Sequence, residues 1–180
     1  MDYRSYYDLE SYLFEEVGPR FAQAGVLDAF DFFCIIAWKA NRAKSAVARR
    51  LLRHGHGSLD EAVQELTSAI AGQPHPKERM YLLHEWGFRL PTASAILAVL
   101  YPDEFTVYDT RVCGILGRFA NLANISDFER IWEGYLEFKG AVSQAAPAHL
   151  TLRDKDRFLW GKSFQEQLGS DISRSFSHEP

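Results

Sequence analysis

The chain has 180 residues, a net charge of −4, 47% apolar residues and 14% aromatic residues. This composition excludes an intrinsically disordered chain, and the length suffices for a substantial core. No apolar run approaches the roughly 18 residues that a membrane-spanning helix requires. The polar N-terminus lacks the apolar core of a signal peptide, so we expect a cytoplasmic protein with no membrane partner.

Apolar residues recur with helical spacing along nearly the whole chain. The predicted helices cover 5–24, 27–53 with a break near Asn41, 58–71, 76–86, 91–101, 109–120, 127–146 and 151–168. Ser58, Ser126 and Thr151 are predicted N-caps, and Gly25 and the turn at 55–57 are predicted helix ends. Only the short segment 105–108 has the composition of a strand.

These patterns predict an all-α fold, a compact multi-helix domain. The domain covers residues 1–168, as one body or as two small lobes divided near 72–76, and residues 169–180 form a polar tail. Cys34 and Cys113 lie in apolar contexts and are predicted to be reduced core residues. With the scattered histidines they are too few for a metal site, so no metal is expected.

A basic stretch runs from Lys39 to Leu59 and contains six lysines and arginines but no acid. On a mildly acidic protein this asymmetry fits a surface that faces a polyanion. The alternative is a solvated helix face that pairs with the acidic N-terminal region.

Two helices are predicted to meet at Gly87, where a glycine permits a turn with positive φ between Trp86 and Pro91. The small residues after Pro91 permit close packing of the second helix. Its N-terminal amides are predicted to form an anion site suited to phosphate. The alternative is an ordinary helical hairpin that only packs.

Beyond this hairpin the chain reads Val107-Tyr-Asp-Thr-Arg-Val112, with Asp109 at the start of another helix. Together with Gly87 and the Thr92-Ala93 pair, this segment resembles the helix-hairpin-helix DNA glycosylase superfamily. The resemblance implies that the all-α domain contains a helix-hairpin-helix-like element. About 30 residues carry the resemblance. It implies that DNA is the partner and that Asp109 is the essential acid, whereas the residues alone also fit Asp109 as an N-cap.

The chain departs from that family in two ways. Arg89 replaces the second hairpin glycine, and Pro91 stands at or next to the position of the Schiff-base lysine, so a lyase reaction from that position is excluded. No cysteine set for an iron–sulfur cluster is present. The resemblance then implies hydrolysis by the aspartate alone, acting on a base flipped out of the duplex. It also implies a monovalent cation at the hairpin; no other cofactor is expected.

The remaining site predictions are tied to this hypothesis. Trp38, Tyr108 and Trp160 are predicted to line a base pocket, with core packing as the alternative for the two tryptophans. Trp38, Lys39 and Arg42 are predicted to share one helix face, since residues four apart are neighbours on a helix. Lys39 is also a candidate replacement nucleophile. The predicted DNA contacts are Gly87, Arg89, Thr92, Ser94, Arg42 and Arg111, of which Arg111 has a second predicted role as the ion-pair partner of Asp109.

The function predicted from the sequence is therefore DNA binding and hydrolysis of an N-glycosidic bond, with Asp109 stabilising the positive charge on the sugar. The alternatives are a DNA-binding module without catalysis and a helical protein-interaction domain. The identity of the base, the choice between DNA and RNA and the oligomeric state are left open by the sequence.

Overall fold

A computed structural model describes residues 3–55 and 57–176, and in this part of the chain the ordered elements are helices. The all-α fold class is confirmed. No β-strand occurs in the described ranges, and the strand-like segment 105–108 is extended without pairing. His56, in the predicted turn at 55–57, lies outside the described residues. The chain divides into an N-terminal unit, Met1–Phe105, and a C-terminal unit, Thr106–Pro180.

The N-terminal unit contains α1 (Leu9–Tyr12), α2 (Gly18–Ala24), α3 (Ala29–Ala40), α4 (Lys44–Leu52), α5 (Leu59–Ala71), α6 (Pro76–Glu85) and α7 (Leu90–Leu100). A π-helical turn, Leu13–Val17, joins α1 to α2. The single helix predicted for 5–24 is therefore divided into two short α-helices. A 3-10 turn, Asn41–Ala43, separates α3 from α4, where the break was predicted. The stretch 72–76 connects α5 to α6 within this unit.

Glycine and capping residues set the helix ends in the N-terminal unit. Gly25 ends α2 with a left-handed φ of 69°. The hydroxyl of Ser58 accepts a hydrogen bond from the amide of Glu61 at 3.2 Å and begins α5, which confirms the predicted cap. Gly18 permits a close helix approach, because a Cβ there would lie 2.7 Å from the carbonyl oxygen of Val99.

Helix α7 forms the centre of the N-terminal core. Every residue from Ala93 to Leu100 is buried, and α7 packs against α2, α3 and α6. A helix that is apolar on all sides is stable only when it is surrounded, which is what its sequence indicates.

The C-terminal unit contains α8 (Thr110–Leu116), α9 (Phe128–Ala145) and α10 (Leu152–Phe176), with a 3-10 segment, Ala120–Asn124, between α8 and α9. Helix α8 is shorter than predicted because Gly117 and Phe119 both adopt positive φ, at 67° and 75°. The N-cap of α9 is Asp127 rather than the predicted Ser126. The Thr151 cap is confirmed, since its hydroxyl accepts from the amide of Asp154 at 3.1 Å.

A buried tyrosine anchors the C-terminal unit. Tyr135 on α9 donates its hydroxyl proton to the carbonyl of Thr106 at 2.8 Å and accepts from the Thr106 amide at 3.0 Å. At Gly134, α9 lies close to a methyl group of Leu122, which an added Cβ would displace. Helix α10 continues through Phe176, so helix includes much of the segment predicted as a polar tail; residues 177–180 lie outside the described residues.

Among the described helices, none combines the length and the apolar character needed to cross a membrane.

Candidate nucleic-acid interface

The hairpin turn has the predicted left-handed glycine. Helix α6 ends at Glu85, and Gly87 has a φ of 79°. The amide of Gly87 donates to the carbonyl of His84 at 2.8 Å, and the amide of Phe88 donates to that of Leu83 at 2.9 Å. A side chain at position 87 would be strained in this conformation. The turn therefore depends on glycine for its backbone shape.

The basic stretch predicted from the sequence lies against this turn. A Cβ at Gly87 would lie 3.2 Å from Nε of Arg50, which belongs to α4. The Arg50 guanidinium also lies 5.5 Å from the centre of the Phe88 ring. Two residues beyond the end of α4, His54 stacks on Trp86 with 3.9 Å between ring centres. Two features far apart in sequence thus form one surface.

Three arginines carry the charge of this surface; we call Arg50, Arg53 and Arg89 the arginine cluster. Burial lowers the pKa of Arg50, and the positive charges of Arg53 and Arg89 lower it further. Within residues 3–55 and 57–176, no carboxylate forms an ion pair with a member of the cluster. Like charges held together favour binding of an anion.

The helix N-terminus contributes less to an anion site than predicted. Pro91 has no N–H group, and the amides of Thr92 and Ala93 both donate to the carbonyl of Arg89, at 3.0 and 2.9 Å. Those amides are already satisfied and are not directed at a ligand. Ser94 is fully buried and its hydroxyl donates to the Pro91 carbonyl at 3.3 Å, so its side chain belongs to the helix packing. The positive charge beside the turn therefore comes mainly from guanidinium groups.

Asp109, in the C-terminal unit, is the N-cap of α8. Its Oδ1 accepts a hydrogen bond from the amide of Arg111 at 2.9 Å, and its own carbonyl accepts from the amide of Cys113 at 2.9 Å. The side chain is half-buried. The capping interpretation of Asp109 is confirmed, and capping leaves its catalytic role as a separate prediction.

Arg111 is directed at α10 and not at the Asp109 carboxylate. Its Nη1 donates to Oε1 of Gln167 at 2.9 Å, and its guanidinium lies 5.3 Å from the centre of the Trp160 ring. The expected ion pair between Arg111 and Asp109 is absent among these contacts, because the α8–α10 packing supplies Arg111 with other partners.

The three predicted base-pocket residues have different environments. Tyr108 is fully buried, and its hydroxyl donates to the carbonyl of Phe119 at 2.7 Å, so it is a core residue of the C-terminal unit. Trp160 is exposed on α10 and stacks on Phe164 with an interplanar angle of 4°. Trp38 is half-buried in the N-terminal unit and packs edge-to-face on Phe14.

The predicted helical relation between Trp38 and Arg42 is wrong. Ala40 leaves the helical conformation, with φ −155° and ψ 66°, so the two side chains are not neighbours on one helix face. Lys39 is half-buried at the end of α3, and Arg42 is exposed in the 3-10 turn.

Sequence reasoning missed a buried polar cluster in the N-terminal unit. Asp31 is buried on α3, accepts from the Tyr12 hydroxyl at 2.7 Å and pairs with Nη2 of Arg20 at 2.6 Å. Burial and the Asp31 hydrogen bond raise the pKa of Tyr12, so the phenol stays neutral. Because these groups satisfy one another, they hold α1, α2 and α3 together. The helical pattern of each segment gave no signal for contacts between three helices.

The described residues contain no group of three or more histidine, cysteine or carboxylate side chains arranged to hold a metal ion. A monovalent cation at the hairpin would use backbone carbonyls and remains a prediction.

Comparison with known proteins found no relative of this chain, which matches no family model, no curated protein and no solved structure. The resemblance to helix-hairpin-helix glycosylases therefore rests on the residues of segment 86–112. The arginine cluster rests on the geometry of the N-terminal unit.

Proposed function

We propose that this protein binds DNA and that the arginine cluster is its phosphate-binding surface. The observation that carries the proposal is the meeting of the basic α4 with the Gly87 turn, which places Arg50, Arg53 and Arg89 together without a carboxylate partner in the described residues. Guanidinium groups bind phosphate with planar, charge-assisted hydrogen bonds. The cluster contacts backbone phosphates and so supplies affinity without sequence preference.

The second part of the proposal is base excision with Asp109 as the acid. The bond between C1′ and the base nitrogen breaks, and the base leaves with the bonding electrons and takes up a proton from the solvent. A water molecule adds its hydroxyl group to C1′, which leaves an abasic site. The Asp109 carboxylate stabilises the positive sugar and accepts the proton of that water. Base excision is supported by the position of Asp109, a half-buried carboxylate at a helix N-terminus within the Tyr-Asp-Thr-Arg segment.

Two other functions fit parts of the molecule. A DNA-binding module without catalysis would use the arginine cluster alone and would need Asp109 only as a cap. A protein-interaction domain would use the exposed apolar residues of α10. The proposal also includes a location in the cytoplasm, where Cys34 and Cys113 stay reduced.

DNA binding is tested by replacing the exposed cluster members Arg53 and Arg89 with glutamine and measuring affinity for duplex DNA across a salt series. We expect several-fold weaker binding for each variant. The slope of log K against log salt should fall by about 0.9 for each lost phosphate contact. The matched control is Arg130→Gln, which removes the same charge from an exposed position on α9. Equal effects of all three variants, or no binding by the wild type, would contradict the proposal.

Base excision is tested with duplexes that carry modified bases, by alkaline cleavage at the abasic sites produced. Asp109→Asn removes the charge but keeps the N-cap, because asparagine caps helices as well as aspartate does. The control is Asp127→Asn at the N-cap of α9, where Oδ1 accepts from the Arg130 amide at 2.9 Å. We expect Asp109→Asn alone to abolish release. Salt-sensitive binding without release from any duplex would instead favour the module without catalysis.

The candidate nucleophile Lys39 is tested in the same reactions by borohydride. A Schiff base between a lysine and the sugar would be trapped as a covalent complex, and Lys39→Arg would abolish it. Trapping that survives this substitution would exclude the role of Lys39.

A further inference from the structure

Helix α10 carries a row of exposed apolar side chains. Trp160, Phe164, Leu168 and Ile172 are 43%, 48%, 46% and 47% exposed. Residues four apart lie on the same side of an α-helix, so the four side chains form one continuous face. We call this face the α10 stripe. Soluble chains rarely expose a row of this kind unless something covers it.

Most of the stripe lies away from the side of α10 that packs on its own unit, and Trp160, at its edge, also contacts Arg111 of α8. Asp156 and Leu159 are buried, and α10 packs against α8 and α9. At 3.6 residues per turn, the centre of the stripe lies about a third of a turn away from these buried residues. Helix α10 therefore has two faces, of which one is already used.

Charges flank the centre of the stripe symmetrically. Arg157 lies seven residues before Phe164, and Asp171 lies seven residues after it. Seven residues are two helical turns, so both charges are on the same face as Phe164. Trp160 and Leu168 lie four residues before and after Phe164 in the same way. The face is therefore self-complementary. When a second copy of the helix lies antiparallel to the first, each of these charges is opposite a charge of the other sign, and each of these apolar side chains is opposite an apolar one.

We propose that α10 pairs with α10 of a second copy of this chain, antiparallel, with a two-fold axis at Phe164. In this register Arg157 faces Asp171 of the partner subunit, and the symmetry makes the same pair twice. Trp160 faces Leu168 of the partner subunit, and Phe164 meets its own copy. The paired segment from Arg157 to Asp171 is about 21 Å long at 1.5 Å per residue.

The charges select the antiparallel direction. A parallel pair in register would place each Arg157 beside its own copy and each Asp171 beside its own copy, which repels at both ends. Arg157 now contacts Asp154 at 3.3 Å, and both side chains are about half exposed. Such an exposed pair adds little stability, so Arg157 can face a second acid at low cost. A two-fold contact uses the same patch on both subunits and closes on itself.

This interface is independent of DNA binding. It uses none of the residues of the arginine cluster, and it assigns Trp160 to subunit contact instead of a base pocket. A variant that abolishes pairing is expected to keep the salt-dependent affinity of a single chain for DNA, so the two proposals fail separately.

The first test is sedimentation velocity of the full chain over a concentration series. We expect the wild type to form dimers as the concentration rises and Phe164→Asp to stay monomeric. The matched control is Phe158→Asp, because Phe158 is also 43% exposed on α10 but lies outside the stripe. A wild type that is monomeric throughout, or a dimer that survives Phe164→Asp, overturns the proposal.

The second test fixes the register. Arg157→Asp places two acids opposite each other at each end of the pair, and Asp171→Arg places two arginines there. We expect each single variant to weaken the dimer about tenfold and the double variant, R157D with D171R, to restore it. Circular dichroism checks that each variant stays helical. Single variants without effect, or a double variant no better than the singles, overturn the antiparallel register.

Discussion

Helices α7 and α10 differ in how much of their surface is buried. In α7, every residue from Ala93 to Leu100 is buried in the N-terminal unit. In α10, most side chains after Leu159 are exposed, although the helix is more than twice as long, with 25 residues against 11. Helix α7 is therefore stabilised by burial, whereas the second half of α10 depends on local interactions such as the pair between Lys162 and Glu166.

This contrast teaches that helix length and helix burial are separate properties. The alanine-rich, uncharged sequence of α7 indicates a surrounded helix. The sequence of α10 mixes charges with an apolar row and leaves a face that its own unit does not cover. A helix of the first kind serves as core, and one of the second kind is suited to contact with another molecule.

The largest expected effect compares two isoleucines, one in each helix. Ile96→Ala in α7 removes a fully buried side chain, and we expect a loss of about 2–5 kcal/mol in the free energy of unfolding. Ile172→Ala in α10 removes a side chain that is 47% exposed, and we expect a change within about 0.5 kcal/mol. Urea denaturation at low protein concentration measures both. Similar losses for the two variants would show that α7 and α10 do not differ in how burial stabilises them.

A smaller effect is expected at the polar anchor of the C-terminal unit. Tyr135→Phe removes the hydroxyl that bonds both the amide and the carbonyl of Thr106, and it leaves them buried without that partner. We expect a loss of about 1–3 kcal/mol by the same denaturation. Tyr7→Phe, at a nearly fully exposed tyrosine, is the control and should leave stability unchanged. An unchanged Tyr135→Phe variant would show that apolar packing alone holds this unit.

The smallest expected effect is the pH dependence of stability that comes from the thiol of Cys34 on α3. The burial of α3 lies between those of α7 and α10. Burial, and then the negative charges of Asp31 and Asp28, raise the pKa of the thiol from 9.0 to about 11. An acid whose pKa is raised by folding adds stability below pH 9.0, and this stability is lost as the pH rises toward 11.

The alkylation rate of Cys34 against pH measures this shift, in a Cys113→Ala background so that one thiol reports. We expect the midpoint near 11 for the folded protein and near 9.0 after denaturation. Equal midpoints in the two states would show that α3 exposes Cys34 more than its packing indicates.

Much of the candidate site followed from local sequence. The positive φ of Gly87, the cap at Asp109 and the helix end at Gly25 depend on one residue and its immediate neighbours, and all three were predicted. The predicted anion site at the α7 amides is less favourable than expected, because Pro91 has no N–H group and the amides of Thr92 and Ala93 donate to the Arg89 carbonyl. The face assumed for Trp38 and Arg42 was wrong because Ala40 interrupts the helix. The catalytic role of Asp109 stays a prediction.

The sequence by itself determined the helical class, most helix ends and the basic character of the stretch after Lys39, because periodicity, caps and charge act over a few residues. Only the tertiary structure decided that Arg50 packs against the turn at Gly87, that Asp31 is buried with Arg20, and that α10 leaves one apolar face uncovered. These outcomes depend on which helix faces meet in space. Contacts between segments 11 to about 40 residues apart have no local signature, so they follow from the packing of the chain alone.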